Sequence, residues 1–502
     1  MKKSGFLSNA IILTIGGILA KVFSAVYRIL LTRILGGEGI GIYQLVFPLY
    51  SLFVVLATSG LPMAISKIIA KNIGNEKAVI KKCLLLTMVF SLCLTLILLF
   101  LGNIFSKIQQ KSSLTICYAI LAPTIIILSA GSVLRGYFQG VGNFNPSAIS
   151  SIFEQFVKMI TGLILSISLI SLGLIYAIIG AVVGIAISET VSLLILIVYY
   201  KKHRKNLKNT HIKIKTKDIL IDVLPITITS IIMPISSFVD SLIVVNLLCR
   251  NFSQTCSIFL YGLESGAVSS LISLPTIFSF AIASVVLPNL SIDIKKFNKN
   301  NSFNFALKIV LIITIPFVLY FLLVPNRIIT FLYSNKLNDL GLNGTNISSR
   351  LLAISSLGIV FVGVNQIFSS SLQAENRRIA TIKNMIFAVA VKLILELIFI
   401  PTKALNIYSL SIANVVCYMI VAVLNGIEIK RVFAVDIEYN FYKTIIFASI
   451  CLLLTMVAIM SINTNLMTTI IAGLMSISVY VFVLFKGKVF SKKDIAKIKY
   501  KI

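Results

Sequence analysis

The sequence predicts an all-α integral membrane protein of about 14 spanning helices, arranged as two six-helix lobes followed by a further pair. Three observations carry this expectation. Hydrophobic residues make up 58% of the 502 residues and charged residues 12%, with a mean hydropathy of +1.01. Apolar runs near the ~20 residues needed to cross a bilayer recur from end to end. Lys and Arg gather in alternate connecting segments, the pattern that orients spanning helices.

The spans are expected at roughly 7–34, 42–69, 80–103, 114–139, 147–170 and 173–200, then 219–248, 263–290, 304–333, 349–373, 380–400 and 405–429, and finally 442–462 and 466–485. The first opens on Lys2 and Lys3 and resembles a signal peptide. It is too long, carries Lys21 and Arg28, and lacks a small-residue cleavage site, so it is expected to be retained. Gly36-Gly37-Glu38-Gly39-Ile40-Gly41 separates the first two spans. It lacks the Lys-Ser/Thr of a phosphate loop and reads as a tight helix-to-helix turn. The seventh span carries Pro225 and Pro234, which remove helical hydrogen bonds and predict a kink or break. The basic run 201–217 divides the chain into an N-terminal lobe (1–200), a cytoplasmic linker (201–217), a C-terminal lobe (218–431), and two extra spans with a basic tail (432–502).

The net charge of +29 acquires meaning from its distribution. With the N-terminus inside, the inner segments hold Lys67, Lys71, Lys77, Lys81 and Lys82, the run 201–217, Lys295, Lys296 and Lys299, Arg377, Arg378 and Lys383, Lys430 and Arg431, and the tail. The outer segments hold far fewer cations. Both termini are therefore expected on the cytoplasmic side of the cell membrane. Anionic lipid, rather than nucleic acid, is the expected partner of charge spread over many juxtamembrane loops. The seven cysteines are scattered, mostly inside apolar runs, and show no metal-binding spacing. Cys249 and Cys256 flank one outer loop and are close enough in sequence to pair. His203 and His211 are the only histidines and lie in the basic run. These features predict no cofactor, no metal site and no enzyme.

Charges inside apolar spans are the candidate functional residues, because each costs at least ~2.5 kcal/mol at the bilayer centre unless it meets a partner or water. Lys21, Ser24 and Arg28 share one face of the first helix with Gly17, where two cations suit an anionic substrate. The competing structural reading has Arg28 snorkelling to the interface and Lys21 paired with a buried acid. Glu154 and Lys158 stand at i and i+4 and can pair within their helix. Lys392 and Glu396 repeat the spacing in reverse. Gln139 and Lys158 are as far apart as Gln373 and Lys392, a trace of an internal repeat with parallel orientation. Asp240 and Glu189 are candidate coupling-ion or proton sites, and structural pairing competes equally at Asp240. Glu264, near an outer helix end, reads as solvated.

Several motifs resemble the stage V sporulation protein B family. They are Lys21-Val22-Phe23-Ser24 through Tyr27-Arg28, Leu35-Gly36-Gly37-Glu38-Gly39-Ile40-Gly41-Ile42-Tyr43, Gly60-Leu61-Pro62, Arg135-Gly136-Tyr137-Phe138-Gln139-Gly140, Asn145-Pro146 and Glu154-Gln155. In the second half Leu224-Pro225-Ile226-Thr227, Asp240-Ser241, Tyr261-Gly262, Leu274-Pro275 and Leu287-Pro288 fit the same pattern. Glu264 departs from it, since an uncharged residue is expected there. The resemblance covers nearly the whole chain and lies within the larger superfamily of MATE-type exporters and lipid-linked oligosaccharide flippases. It implies two six-helix lobes in a V, MATE- and MurJ-like, plus two C-terminal helices. It also implies movement of a polyprenyl-pyrophosphate-linked saccharide, a lipid II-like precursor of peptidoglycan or spore cortex, from the inner to the outer leaflet by alternating access. Lys21, Arg28, Lys158 and Lys392 can supply cations for the pyrophosphate, and Arg135 can meet the headgroup on entry. Sodium, protons or the membrane potential would drive the cycle.

Two other functions compete. A cation-coupled multidrug exporter should line its cavity with acids and aromatics, whereas the intramembrane bases are prominent here and tryptophan is absent. A non-transporting scaffold for wall or spore assembly leaves the buried charges without a purpose.

Overall fold

The computed structural model of the protein describes residues 3–71, 75–109, 111–204, 216–291, 296–435, 438–462, 466–487 and 489. The central part of the basic linker, 205–215, and the tail from 490 lie outside the described residues. The described residues are helical nearly throughout, and the one β contact among them is an isolated Asp339–Leu342 bridge.

Helix α1 (Lys3–Thr58) continues after a short turn into α2 (Leu61–Lys71). At 1.5 Å per residue, α1 would be ~84 Å long if straight, far more than a ~30 Å hydrocarbon core. It folds back at Gly36, whose φ of 68° is in the region that glycine enters without a Cβ penalty. The ammonium of Lys158 lies 5.5 Å from the Tyr27 ring and 5.6 Å from the Phe47 ring, one on each side of Gly36. The two halves of α1 therefore lie side by side as separate crossings. Glu38 in this turn pairs with Lys111 at 3.6 Å.

The remaining helices are α3 (Glu76–Ile108), α4 (Leu114–Leu121), α5 (Thr124–Gly140), α6 (Asn145–Leu169), α7 (Leu174–Arg204), α8 (Thr216–Leu248) and α9 (Gln254–Gly262). A wider π turn, Leu263–Val268, leads from α9 into α10 (Ser269–Ser291). There follow α11 (Lys296–Leu323), α12 (Pro325–Tyr333), α13 (Gly344–Ser356), α14 (Gly358–Ala374), α15 (Arg378–Phe399), α16 (Tyr408–Lys430), α17 (Tyr439–Ile462) and α18 (Leu466–Lys486). Among the described residues, twelve stretches are long and apolar enough to span a membrane. The first, Ile12–Ala70, makes two crossings, and α15 adds one more despite carrying Arg378, Lys383, Lys392 and Glu396. The total of 14 agrees with the sequence expectation. Of the kink or break expected at Pro225 and Pro234, the break does not occur, and α8 is one helix through both prolines. Thr229 Oγ1 donates back to the Pro225 carbonyl at 2.8 Å, a local side-chain bond within the same helix.

Two compact units emerge. The first comprises the described residues of Met1–Ser270 with Asp339–Leu342 and Glu396–Ile407. The second comprises those of Leu271–Asn338, Asn343–Leu395 and Tyr408–Ile502. The division falls at Ser270 rather than in the basic run, because α8 and α9 pack on α1. A Cβ on Gly262 would stand 2.7 Å from Gly41 Cα, and one on Gly60 would stand 2.9 Å from Val223 Cα. In the first unit, Leu61, Ile65, Val79, Leu134, Tyr137 and Leu196 form an apolar core. In the second, Phe303, Val310, Ile367, Leu372, Ile429 and Phe433 form another. Phe441, Ile445, Leu452 and Tyr480 seat α17 and α18 against α11.

The repeat traced in the sequence has a structural counterpart. In α5 the last turn closes with Gly142 N–H donating to Gln139 O at 3.1 Å and Asn143 N–H to Phe138 O at 2.9 Å, with Gly142 at φ 80°. In α14 the same pair of bonds runs from Asn376 to Gln373 O at 3.2 Å and from Arg377 to Leu372 O at 2.8 Å, with Asn376 at φ 60°. This is a Schellman ending in both, with Gln139 and Gln373 in the same place.

Candidate functional site

The side chains of α1, α5, α6 and α7 bring five charges together in the first unit. On α1 the strongly exposed apolar side chains Ile15, Leu19, Val22, Val26 and Leu30 form one stripe. In a membrane protein such a stripe meets lipid. Lys21, Ser24 and Arg28 are half-buried on the opposite face. A Cβ at Gly17, on that same face, would meet nothing within 4 Å. At Gly17 the face therefore borders open space rather than packed protein.

Helix α6 is divided in the same way. Phe156, Ile160, Ile164 and Ile167 are exposed, whereas Glu154 and Lys158 point inward. Glu154 does not pair with Lys158 as the i, i+4 spacing suggested. Its Oε2 accepts from Arg135 Nη2 on α5 at 2.5 Å and from Ser192 Oγ on α7 at 3.2 Å. Arg135 Nη2 also donates to Ser192 Oγ at 2.8 Å. Gln155 Nε2 donates to Glu154 Oε1 at 2.9 Å. Arg135 Nη2 reaches the carboxylate and the hydroxyl at once, so α5 and α7 together hold Glu154, and the ion pair is charge-assisted. The side chains of Arg135 and Glu154 are 19% and 13% exposed, so little water screens the pair.

Lys158 is thus left to Tyr27 and Phe47, whose ring faces attract a cation. The charges of Glu189, Arg28 and Glu154 also act on it. Glu189 is 9% exposed and lies in the field of Glu154, Arg135 and Lys158. The constellation is Arg28, Arg135 and Lys158 against Glu154 and Glu189, three cations to two carboxylates. Lys21 shares the α1 face of Arg28 and raises the excess.

An aromatic wall completes the site, and it went unnoticed in the sequence. Tyr43 stacks on Phe47 with centroids 5.8 Å apart, and Phe47 meets Tyr50 edge-on at 6.1 Å. The Tyr50 hydroxyl shares a 2.8 Å hydrogen bond with Thr124 Oγ1. The i, i+4, i+7 spacing of these rings was a visible signal, but in so apolar a chain it looks like ordinary helix packing.

Other expected residues stand elsewhere. Asp240, on α8 in the first unit, is 8% exposed. Lys392 and Glu396 on α15 are 5% and 0% exposed, Lys392 belonging to the second unit. Glu264 is a correction to the sequence reading. It is not solvated but 5% exposed, within the π turn that Gln44 Nε2 caps by donating to the Ser265 carbonyl. Cys249 and Cys256 are free thiols. Among the described residues no group of three or more His, Cys, Asp or Glu has metal-site geometry.

These features place the chain in a class. Its fold is that of the solved lipid II flippase MurJ in an inward closed conformation, with a TM-score of 0.73 at 18% identity over 96% of this chain and 100% of that one. An inward-facing multidrug resistance MATE family transporter of the MOP superfamily matches at a TM-score of 0.65 and 16% identity, over 86% and 99% of the two chains. The protein is a multi-pass membrane protein of this architecture. Residues 6–292 match the polysaccharide biosynthesis protein family, and the chain belongs to it. Its relatives include stage V sporulation protein B of Bacillus subtilis (strain 168), 26% identical over 88% of this chain and 87% of the relative. The lipid II flippase MurJ of the same organism is 22% identical over 85% and 83%. The resemblance read from the motifs is therefore upheld.

Proposed function

We propose that this protein flips a polyprenyl-pyrophosphate-linked saccharide, a precursor of cell wall or spore cortex, across a bacterial plasma membrane by alternating access. The observation that carries this reading is the cation excess of the cluster that α1, α5, α6 and α7 build, with Lys21, Arg28, Arg135 and Lys158 against Glu154 and Glu189. Each ionised group there costs at least ~2.5 kcal/mol without a partner, and a pyrophosphate supplies the missing negative charge. In this reading Lys21, Ser24, Arg28, Arg135, Glu154, Lys158, Lys392 and Glu396 contact the substrate. Arg135 and Glu154 hold each other in position, while Lys158 remains available to a phosphate. Tyr43, Phe47 and Tyr50 offer ring faces to the saccharide or the first isoprene units. Asp240 and Glu189 bind or relay the coupling ion, sodium or proton. Support comes from a family concerned with polysaccharide biosynthesis and from relatives that include a lipid II flippase.

A cation-coupled drug exporter draws support from the aromatic wall and from Glu154 and Glu189, but its organic cation would meet an excess of like charge. Proteoliposomes holding the purified protein and defined lipid-linked substrates separate the two. Translocation of the lipid-linked pyrophosphate headgroup, lost in Lys158→Gln, is the expected result. Uptake of organic cations with no headgroup translocation would overturn the reading.

A further inference from the structure

The second unit contains a separate basic pocket that the transport reading does not use. It has a volume of about 430 Å³ and is lined by Lys299, Asn300, Glu375, Arg377, Arg431 and Phe433. Its charged residues lie at or just past the ends of three candidate spans, which begin at Lys299 and end at Ala374 and Lys430. The pocket therefore opens at the level where membrane meets water. These segments are all among the Lys- and Arg-rich ones that face the cytoplasm by charge.

The pocket is held in shape. Asn304 Nδ2 donates to the Ala434 carbonyl at 3.1 Å, and Ala434 N–H donates to Asn300 Oδ1 at 3.4 Å. Phe433 stacks on Phe303 with centroids 5.0 Å apart, and Phe303 on Phe368 at 6.0 Å. The Schellman turn at Asn376 sets Glu375 and Arg377 on the opposite wall. Lys299 Nζ pairs with Glu375 at 2.7 Å. Glu428 divides its carboxylate, with Oε2 accepting from Arg377 at 3.0 Å and Oε1 from Arg431 at 2.6 Å.

The order of burial indicates what the pocket takes. The Glu428 side chain is 17% exposed, while those of Arg377 and Arg431 are 44% and 62% exposed. The acid lies beneath and the cations at the mouth. Each guanidinium has five N–H donors, and its bond to Glu428 uses one Nη. The forks keep N–H groups for a second acceptor with paired oxygens, the geometry of a phosphate. Lys299, Arg377 and Arg431 outnumber Glu375 and Glu428 by one charge.

We infer that this pocket binds a phosphate-bearing anion at the cytoplasmic surface. An anionic phospholipid headgroup of the inner leaflet is the source that best fits its height, since basic pockets between spanning helices on that side take such headgroups. A water-soluble phosphate compound shares the chemistry, and the test separates the two.

Delipidated protein is titrated with phosphatidylglycerol or phosphatidylcholine and the retained lipid is measured by native mass spectrometry. The parent should prefer phosphatidylglycerol, and the preference should fall about fivefold per arginine removed in Arg377→Gln and Arg431→Gln. Arg377→Lys with Arg431→Lys should recover part of it. Lys81→Gln with Lys201→Gln removes as much charge from exposed basic segments elsewhere and should leave the preference intact. Displacement of the lipid by millimolar inorganic phosphate would keep the pocket and assign it to a soluble ligand. Equal retention by the parent and the arginine double variant would overturn the inference. So would an equal loss in the Lys81/Lys201 control. Because the readout is binding rather than transport, failure here leaves the flippase reading untouched.

Discussion

At the scale of single residues, the site depends on how five charges share partners. Arg135 and Glu154 form the tightest pair, and neither is easily reached by water. Removing one partner should cost about 3 kcal/mol, because the other charge is left without compensation. Glu154→Ala is thus expected to lower the unfolding temperature in detergent, and Arg135→Leu with Glu154→Leu to recover most of the loss. A double variant as unstable as the sum of the single ones would show the two groups to be independent. Lys158 differs, being seated against Tyr27 and Phe47 with no carboxylate in direct contact. Lys158→Gln should leave expression and unfolding nearly unchanged while lowering headgroup translocation at least tenfold. Lys21→Ala and Arg28→Ala should act likewise, since both share the half-buried face of α1 that carries Gly17. Normal transport by the Lys21/Arg28 double variant would remove α1 from the site.

At the scale of elements, glycines determine how α1, α8 and α9 meet. Gly262 lies against the backbone of Gly37 and Gly41, with no room for a methyl group. Gly262→Ala should destabilise the first unit by about 1–3 kcal/mol through overpacking. Gly17→Ala is the matched contrast. With nothing within 4 Å of the added Cβ, it should be neutral or gain up to about 1 kcal/mol from helix propensity. Thermal unfolding of both variants in the same detergent checks the pair, and an equal effect would refute the close-packed seam. The helices were legible in the sequence because length and apolarity define a span whatever it packs against. The unbroken course of α8 through its two prolines was not, because the neighbours that make proline tolerable in a spanning helix are brought up only by packing. The π turn at Glu264 was equally hidden, since nothing in the pattern of apolar residues marks a wider turn.

At the scale of the whole molecule, the charge bias predicts a side of the membrane for the connecting segments. Lys202 is expected in the cytoplasm and Asn343 outside. In a cysteine-free background, an impermeant thiol reagent should label Asn343→Cys in intact cells and Lys202→Cys after permeabilisation. Labelling of Lys202→Cys from outside would invert the topology. The boundary between compact units follows a different logic from the basic run. Charge sets which segments stay in the cytoplasm, whereas the division at Ser270 reflects which helices pack closely, and α8 and α9 are bound to α1 by glycine seams.

The sequence by itself determined the number of spans, the Lys- and Arg-rich segments and the set of charges placed at a cost inside apolar helices. Each of these is a local property, governed by the transfer of side chains from water to lipid. It also held the repeat, since Gln139 and Gln373 keep the same distance from Lys158 and Lys392 and end up in matching Schellman turns. Tertiary structure alone decided which charge meets which. The i, i+4 spacing favoured Glu154 with Lys158, yet Arg135 and Ser192, brought up from α5 and α7, take the carboxylate. Partner choice among buried charges depends on distances between helices, and helices far apart in the chain approach one another only once the bundle is packed. That packing leaves Lys158 between two aromatic rings.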